Sequence, residues 1–129
     1  MKTLMEMGHG DEIILADGNF PAVTCAKRLI RNDGLLIPDI LKAIIPYFPL
    51  DQSVDHPVIV MGLLPGESAP EIWETYRILI KEHVDSFVDF DYVERFTFYE
   101  RAKNAFSVVV TSDQSFKGNI ILKKGVVRG

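Results

Sequence analysis

The chain alternates short, wholly apolar runs with longer stretches in which apolar side chains recur every three or four positions. Ile13-Ile14-Leu15-Ala16, Val58-Ile59-Val60-Met61, Ser107-Val108-Val109-Val110-Thr111 and Asn119-Ile120-Ile121-Leu122 are runs of the first kind. A strand wetted on one face alternates apolar and polar residues, so a continuous apolar run predicts a strand buried on both faces. Leu29-Ile30-Arg31, ended by the Asn32-Asp33-Gly34 turn, and Phe90 to Glu94 are further strand candidates. Helices are expected between them. Pro38 stands where the first turn of a helix tolerates it, and Ile40, Leu41, Ile44 and Ile45 keep helical spacing until Pro46 and Pro49 stop it. Ser68 with Glu71 predicts a capping box for the longest helix, Ala69 to Val84, with Ile72, Tyr76, Leu79, Ile80 and His83 along one stripe. Phe98 to Phe106 reads as another helix, and Pro21 opens a short one through Ala22 to Lys27. Lys2 to Met7 is helix-compatible but very short, so the chain is expected to start inside a first helix or with that helix frayed. Strands alternating with helices predict a single α/β domain over residues 1–129, with helices on both faces of the sheet.

Composition narrows the function classes. Hydrophobic residues make up 47% and charged residues 25%, an ordinary balance for a globular chain. The formal net charge of −4 disfavours nucleic acid and acidic membranes, and the basic residues form no stripe able to track phosphates. Cys25 is the only cysteine, so no internal disulfide forms, and a lone thiol fits a reducing, cytoplasmic setting. No apolar run approaches the length of a membrane span, and the N-terminus lacks the layout of a signal peptide.

Candidate chemistry gathers around Gly8-His9-Gly10-Asp11-Glu12, immediately before the first apolar run. Flanking glycines allow positive φ angles and close approach of a ligand. Histidine titrates near neutrality, so His9 is a candidate general acid or base. A turn histidine with no chemical role is an equal reading of the position, and a metal site with Asp11 and Glu12 is a third, for which no second histidine lies at ligand spacing. A phosphate loop is excluded more firmly. The third glycine of a dinucleotide loop is missing, as is Lys-Ser/Thr, and two carboxylates would repel a phosphate. A neutral, hydroxyl-rich ligand is expected instead. Asp17 reads either as an Asx-turn cap or as an acceptor for such hydroxyls, and Arg95 as a residue at the end of a strand. His56 and His83 read as structural. Cys25, Ser112 and Ser115 lack the surroundings of a nucleophile. Lys117-Gly118-Asn119 has the composition of a β-turn before the last strand.

Taken together, EMGHGDEIILAD (Glu6 to Asp17), Phe20-Pro21, DGLLIPDILKAIIP (Asp33 to Pro46), RFTFYERAKNAF (Arg95 to Phe106) and GNIILKKGV (Gly118 to Val126) resemble the RbsD/FucU family of sugar mutarotases. The likeness is to the fucose type more than to the ribose-pyranase type. It implies a three-layer α/β/α domain with a central mixed sheet, assembled as a decameric ring whose sites are shared between subunits. It also implies His9 as the catalytic residue and Asp17, Arg95, Lys117, Gly118 and Asn119 as sugar-binding residues. One departure stands out: the family triplet usually opens with tyrosine, where this chain has Lys117 preceded by Phe116. The implied activity is interconversion of the α and β anomers of L-fucose or a related monosaccharide, with no cofactor or metal. Pyranose–furanose exchange of D-ribose and non-catalytic sugar binding are the rivals.

Overall fold

In the computed structural model, residues 7, 8, 10–17, 29–32, 34, 36–48, 50, 51, 56–84, 87, 89–111 and 118–125 are described. Among them six strands form one sheet: β1 (Glu12–Ala16), β2 (Leu29–Asn32), β3 (Val58–Met61), β4 (Asp91–Val93), β5 (Ser107–Thr111) and β6 (Ile120–Lys123). Their order across the sheet is β2-β5-β1-β6-β3-β4. β1 and β2 both lie parallel to β5, and β3 lies parallel to β4. β6 runs antiparallel between β1 and β3, pairing Ile14 with Ile121 on one side and Ile59 with Ile121 on the other. The sheet is therefore mixed. All strands but β6 end at the same edge, where β6 begins.

Three helices accompany the sheet among the described residues: α1 (Ile37–Ile44), α2 (Glu71–Lys81) and α3 (Arg95–Asn104). The apolar runs bury both faces, as their continuity requires. Ile13, Leu15, Val58, Val60, Ile120 and Leu122 pack with Ile37, Ile40 and Leu41 of α1 and with Trp73, Tyr76 and Ile80 of α2. Their alternate neighbours Ile14, Ala16, Ile59, Met61 and Ile121 pack with Phe98 and Ala102 of α3. Two cores on opposite sides of one sheet make an α/β/α sandwich, as the resemblance implied.

Several boundaries differ from the sequence reading. The Ser68–Glu71 box does not form: Pro70 is the N-cap, no side chain caps the helix, and Glu71 is its first residue. Ala69 precedes a proline and is biased to extended backbone, which delays the helix. α2 also ends at Lys81, leaving His83 exposed beyond it instead of on the buried stripe. Glu94, expected in a strand, is the N-cap of α3, its carboxylate accepting from Phe96 N–H at 3.1 Å and Thr97 N–H at 3.3 Å. α1 ends where predicted, passing into a single 3-10 turn, Ile45–Tyr47, at Pro46. The expected helices over Lys2–Met7, of which only Met7 is described, and Ala22–Lys27 lie outside the described residues, as does Cys25.

A polar cluster fastens α2 to β4. The Arg77 guanidinium reaches Asp89 at 3.4 Å, Glu74 at 3.1 Å and the Tyr92 hydroxyl at 2.9 Å, and lies 5.0 Å from the centre of the Phe90 ring. Burial pushes the Asp89 carboxyl up, but Phe90 N–H at 2.7 Å, the Tyr92 hydroxyl at 2.8 Å and Arg77 outweigh it and hold the group below its ordinary value. Burial and Asp89 push the Tyr92 hydroxyl up. His56 stands at 3.1 Å from the Asp89 carbonyl oxygen, consistent with a structural role.

Candidate sugar-binding site

The edge where the parallel strands end is where ligands gather in open α/β sheets. Asp17 follows the last residue of β1 there and is buried. Asn119 immediately precedes β6 and is also buried. The antiparallel pairing of β1 with β6 sets them side by side: Asp17 N–H donates to Asn119 Oδ1 at 2.8 Å. The carbonyl of the same peptide group, Ala16 C=O, accepts from the buried Thr111 hydroxyl at 2.9 Å. One peptide plane is thus held from both sides, by Thr111 of β5 and by Asn119 before β6, at the exit of β1. Gly118 is tied in turn to α2, because the Tyr76 hydroxyl donates to its carbonyl.

Arg95, expected at a strand end, is instead the first residue of α3, two positions beyond β4. It is exposed, and its guanidinium lies 5.1 Å from the centre of the Phe96 ring. Arg95 shares the edge with Asp17, but β4 and β1 are separated by β3 and β6, about 14 Å at ordinary strand spacing. His9 and Lys117 lie outside the described residues.

The glycines that flank His9 in sequence stand at the other end of β1. Gly8 N–H donates to Asp11 Oδ2 at 2.8 Å, and Asp11 N–H returns to the Gly8 carbonyl at 3.1 Å, closing a tight turn. Only Gly10 of the two has a positive φ, +88°. Lys124 wraps this turn: it accepts from Gly10 N–H at 2.8 Å, donates its own N–H to Asp11 at 2.8 Å, and sends its buried ammonium to the Met7 carbonyl at 2.9 Å. Asp11 is thereby committed to the turn, and Glu12 to an ion pair with Arg101. Between this turn and Asp17 runs β1, whose five residues span about 17 Å.

Thr111 and Tyr76 escaped the sequence reading. Thr111 closed a β-branched run, and Tyr76 belonged to an apolar stripe. A tyrosine hydroxyl in such a stripe is nonetheless a signal, since a buried one requires a partner.

The model of the RbsD/FucU transport protein family matches residues 1–127 of the chain. The fucose mutarotase of Streptococcus pneumoniae, crystallised with L-fucose, is similar at 49% identity and a TM-score of 0.92, over 98% of this chain and 91% of that one. FucU of Bifidobacterium longum is similar at 48% identity and a TM-score of 0.93, over 98% and 93%. RbsD of Bacillus subtilis, solved with D-ribose, shares the fold at 19% identity and a TM-score of 0.71, over 98% and 91%. A match along nearly the whole sequence, on the same three-layer frame, places this chain in the RbsD/FucU family.

Proposed function

We propose that this chain is a mutarotase interconverting the α and β anomers of L-fucose. The observation that carries the reading is its 49% identity, across almost its whole length, to a fucose mutarotase solved with that sugar. The buried Asp17 and Asn119 at the sheet edge support it, as a carboxyl group beside an amide suits the hydroxyls of a neutral sugar.

Anomer exchange breaks the bond between C1 and the ring oxygen and closes it again on the other face of C1. Opening delivers a proton to the ring oxygen and takes one from the anomeric hydroxyl, leaving the aldehyde. His9 is assigned that proton transfer, for which general acid–base catalysis contributes typically ~10²–10⁴-fold. Asp17, Gly118 and Asn119 hold hydroxyls, and Arg95 and Lys117 orient the pyranose. The turn that contains Gly8 and Gly10 lies a strand's length from Asp17, farther than one monosaccharide spans. A neighbouring copy is therefore proposed to supply the histidine side of each site, in keeping with a ring-shaped homo-oligomer such as a decamer. The chain is proposed to act as one domain in the cytoplasm. Among the described residues, no helix is long and apolar enough to cross a membrane.

Exchange NMR on L-fucose tests the reading. The wild-type chain is expected to accelerate anomer exchange, and His9→Ala to lose most of that acceleration while still binding the sugar. Equal acceleration by both proteins would remove His9 from the chemistry. Saturable binding without any acceleration near neutral pH would make this a sugar-binding protein, and a faster pyranose–furanose exchange of D-ribose would reassign the substrate.

A further inference from the structure

Tyr76 sits in the middle of α2 with no exposed surface, so it cannot touch a ligand at the sheet edge directly. Its hydroxyl nonetheless crosses to the far end of the sequence and donates to Gly118 C=O. That carbonyl belongs to the peptide group that leads into Asn119. Asn119 Oδ1 in turn accepts from Asp17 N–H at 2.8 Å. A continuous line of hydrogen bonds therefore runs from α2 through the Gly118–Asn119 peptide to the exit of β1. The Gly118–Asn119 peptide precedes the first ladder pair of β6, Ile120 with Leu15, so strand pairing does not fix its tilt about the chain axis. The Tyr76 hydroxyl opposes that tilt.

We infer that Tyr76 is a positioning residue for sugar binding, setting the orientation of the Gly118–Asn119 peptide and through it the Asn119–Asp17 pair. The assignment rests on the sugar-site reading above. It makes the helix layer part of the binding machinery: α2 presents no side chain to the sugar through Tyr76, but decides how well the pair on the sheet edge is formed before the sugar arrives. Preorganisation of this kind acts on affinity for the sugar, not on the proton transfer.

The test is a double-mutant cycle on the full-length chain, with kcat and KM from exchange NMR over an L-fucose concentration series. Tyr76→Phe removes one hydroxyl and keeps the ring. It is expected to raise KM roughly fivefold to tenfold with kcat within about twofold of wild type, the scale of one lost hydrogen bond. In an Asn119→Ala background the same substitution is expected to raise KM by less than about twofold, because the group it positions is gone. Ile80→Val, one turn along the same helix and fully buried, serves as the stability-matched control and should leave KM unchanged. Equal KM increases in both backgrounds, or an equal increase in Ile80→Val, would overturn the assignment. So would a Tyr76→Phe chain that loses its fold by circular dichroism, since the hydroxyl would then be a determinant of the fold and not of the site. A wild-type chain that neither binds nor exchanges L-fucose removes the site itself, and this role with it.

Discussion

Gly125 follows the isolated bridge between Lys124 and Leu50, and nothing larger than hydrogen fits there. A Cβ at that position would stand 2.5 Å from Leu50 O, 2.8 Å from Leu50 C and 3.0 Å from Asp51 Cα, all main-chain atoms. These atoms cannot turn aside as a side chain could. Leu50 is bridged to Lys124 and buried in the core, and Asp51 N–H donates to Lys123 C=O at 3.0 Å. Gly125→Ala must therefore separate two backbone segments. Overpacking of this sort costs about 1–3 kcal/mol, offset by about 0.4–1 kcal/mol from the stiffer unfolded chain. A net loss of about 1–2 kcal/mol corresponds to a Tm roughly 3–10 °C lower for a domain of this size. The displacement should travel further, because Lys124 holds the Gly8–Asp11 turn through Met7, Gly10 and Asp11. Thermal denaturation by circular dichroism at fixed protein concentration measures the first effect, and exchange NMR on L-fucose the second. Gly8→Ala is the companion variant. Its Cβ would lie 3.7 Å from Asp11 Oδ2, an ordinary contact at a backbone without positive φ, so the stiffer unfolded chain should raise Tm by about 1–5 °C. A Gly125→Ala protein as stable as wild type would show that the backbone there yields freely, and the reasoning would fail.

Thr111→Val keeps the shape of a buried side chain but leaves Ala16 C=O without its 2.9 Å donor, so stability should fall by about 1–2 kcal/mol and calorimetric affinity for L-fucose should weaken. Unchanged stability and affinity together would remove Thr111 from the support of Asp17. Glu94→Ala deprives Phe96 and Thr97 N–H of their acceptor at the start of α3, for a loss of about 1 kcal/mol in urea unfolding. Asp89 carries a pH dependence. Its carboxyl is held below the ordinary 3.8 in the folded chain, so its contribution is fully present above that value and is lost as pH falls from there through the folded value. Asp89→Asn should be less stable than wild type at pH 7, with the gap narrowing in that acid window. A gap that stays constant from pH 7 to below 3 would contradict the ion-pair account.

How much was legible in the sequence follows from which forces are local. The central strands were, because an apolar run of four or five residues bounded by turn chemistry has few other stable uses; Val58–Met61 and Ser107–Thr111 form with the expected ends. So was the three-layer arrangement, since a strand apolar on both faces demands cover on both. Helix starts were less legible. Pro70 overrode the Ser68–Glu71 signal, and Glu94, a poor strand former in a strand-like setting, turned out to be a cap.

What local pattern cannot carry is the identity of neighbours. Nothing near β6 in sequence states that it inserts antiparallel between β1 and β3, because hydrogen-bond ladders are indifferent to sequence separation. That single pairing joins Asp17 to Asn119, 102 residues apart, and sets Gly118 within reach of Tyr76. The Gly8–Asp11 turn and Asp17 stand at opposite ends of β1, as the apolar run between them implies, because an extended chain adds about 3.3 Å per residue. Sequence alone proposed the residues and their chemistry. Tertiary structure decided which of them can meet, through one antiparallel strand and the rise of another.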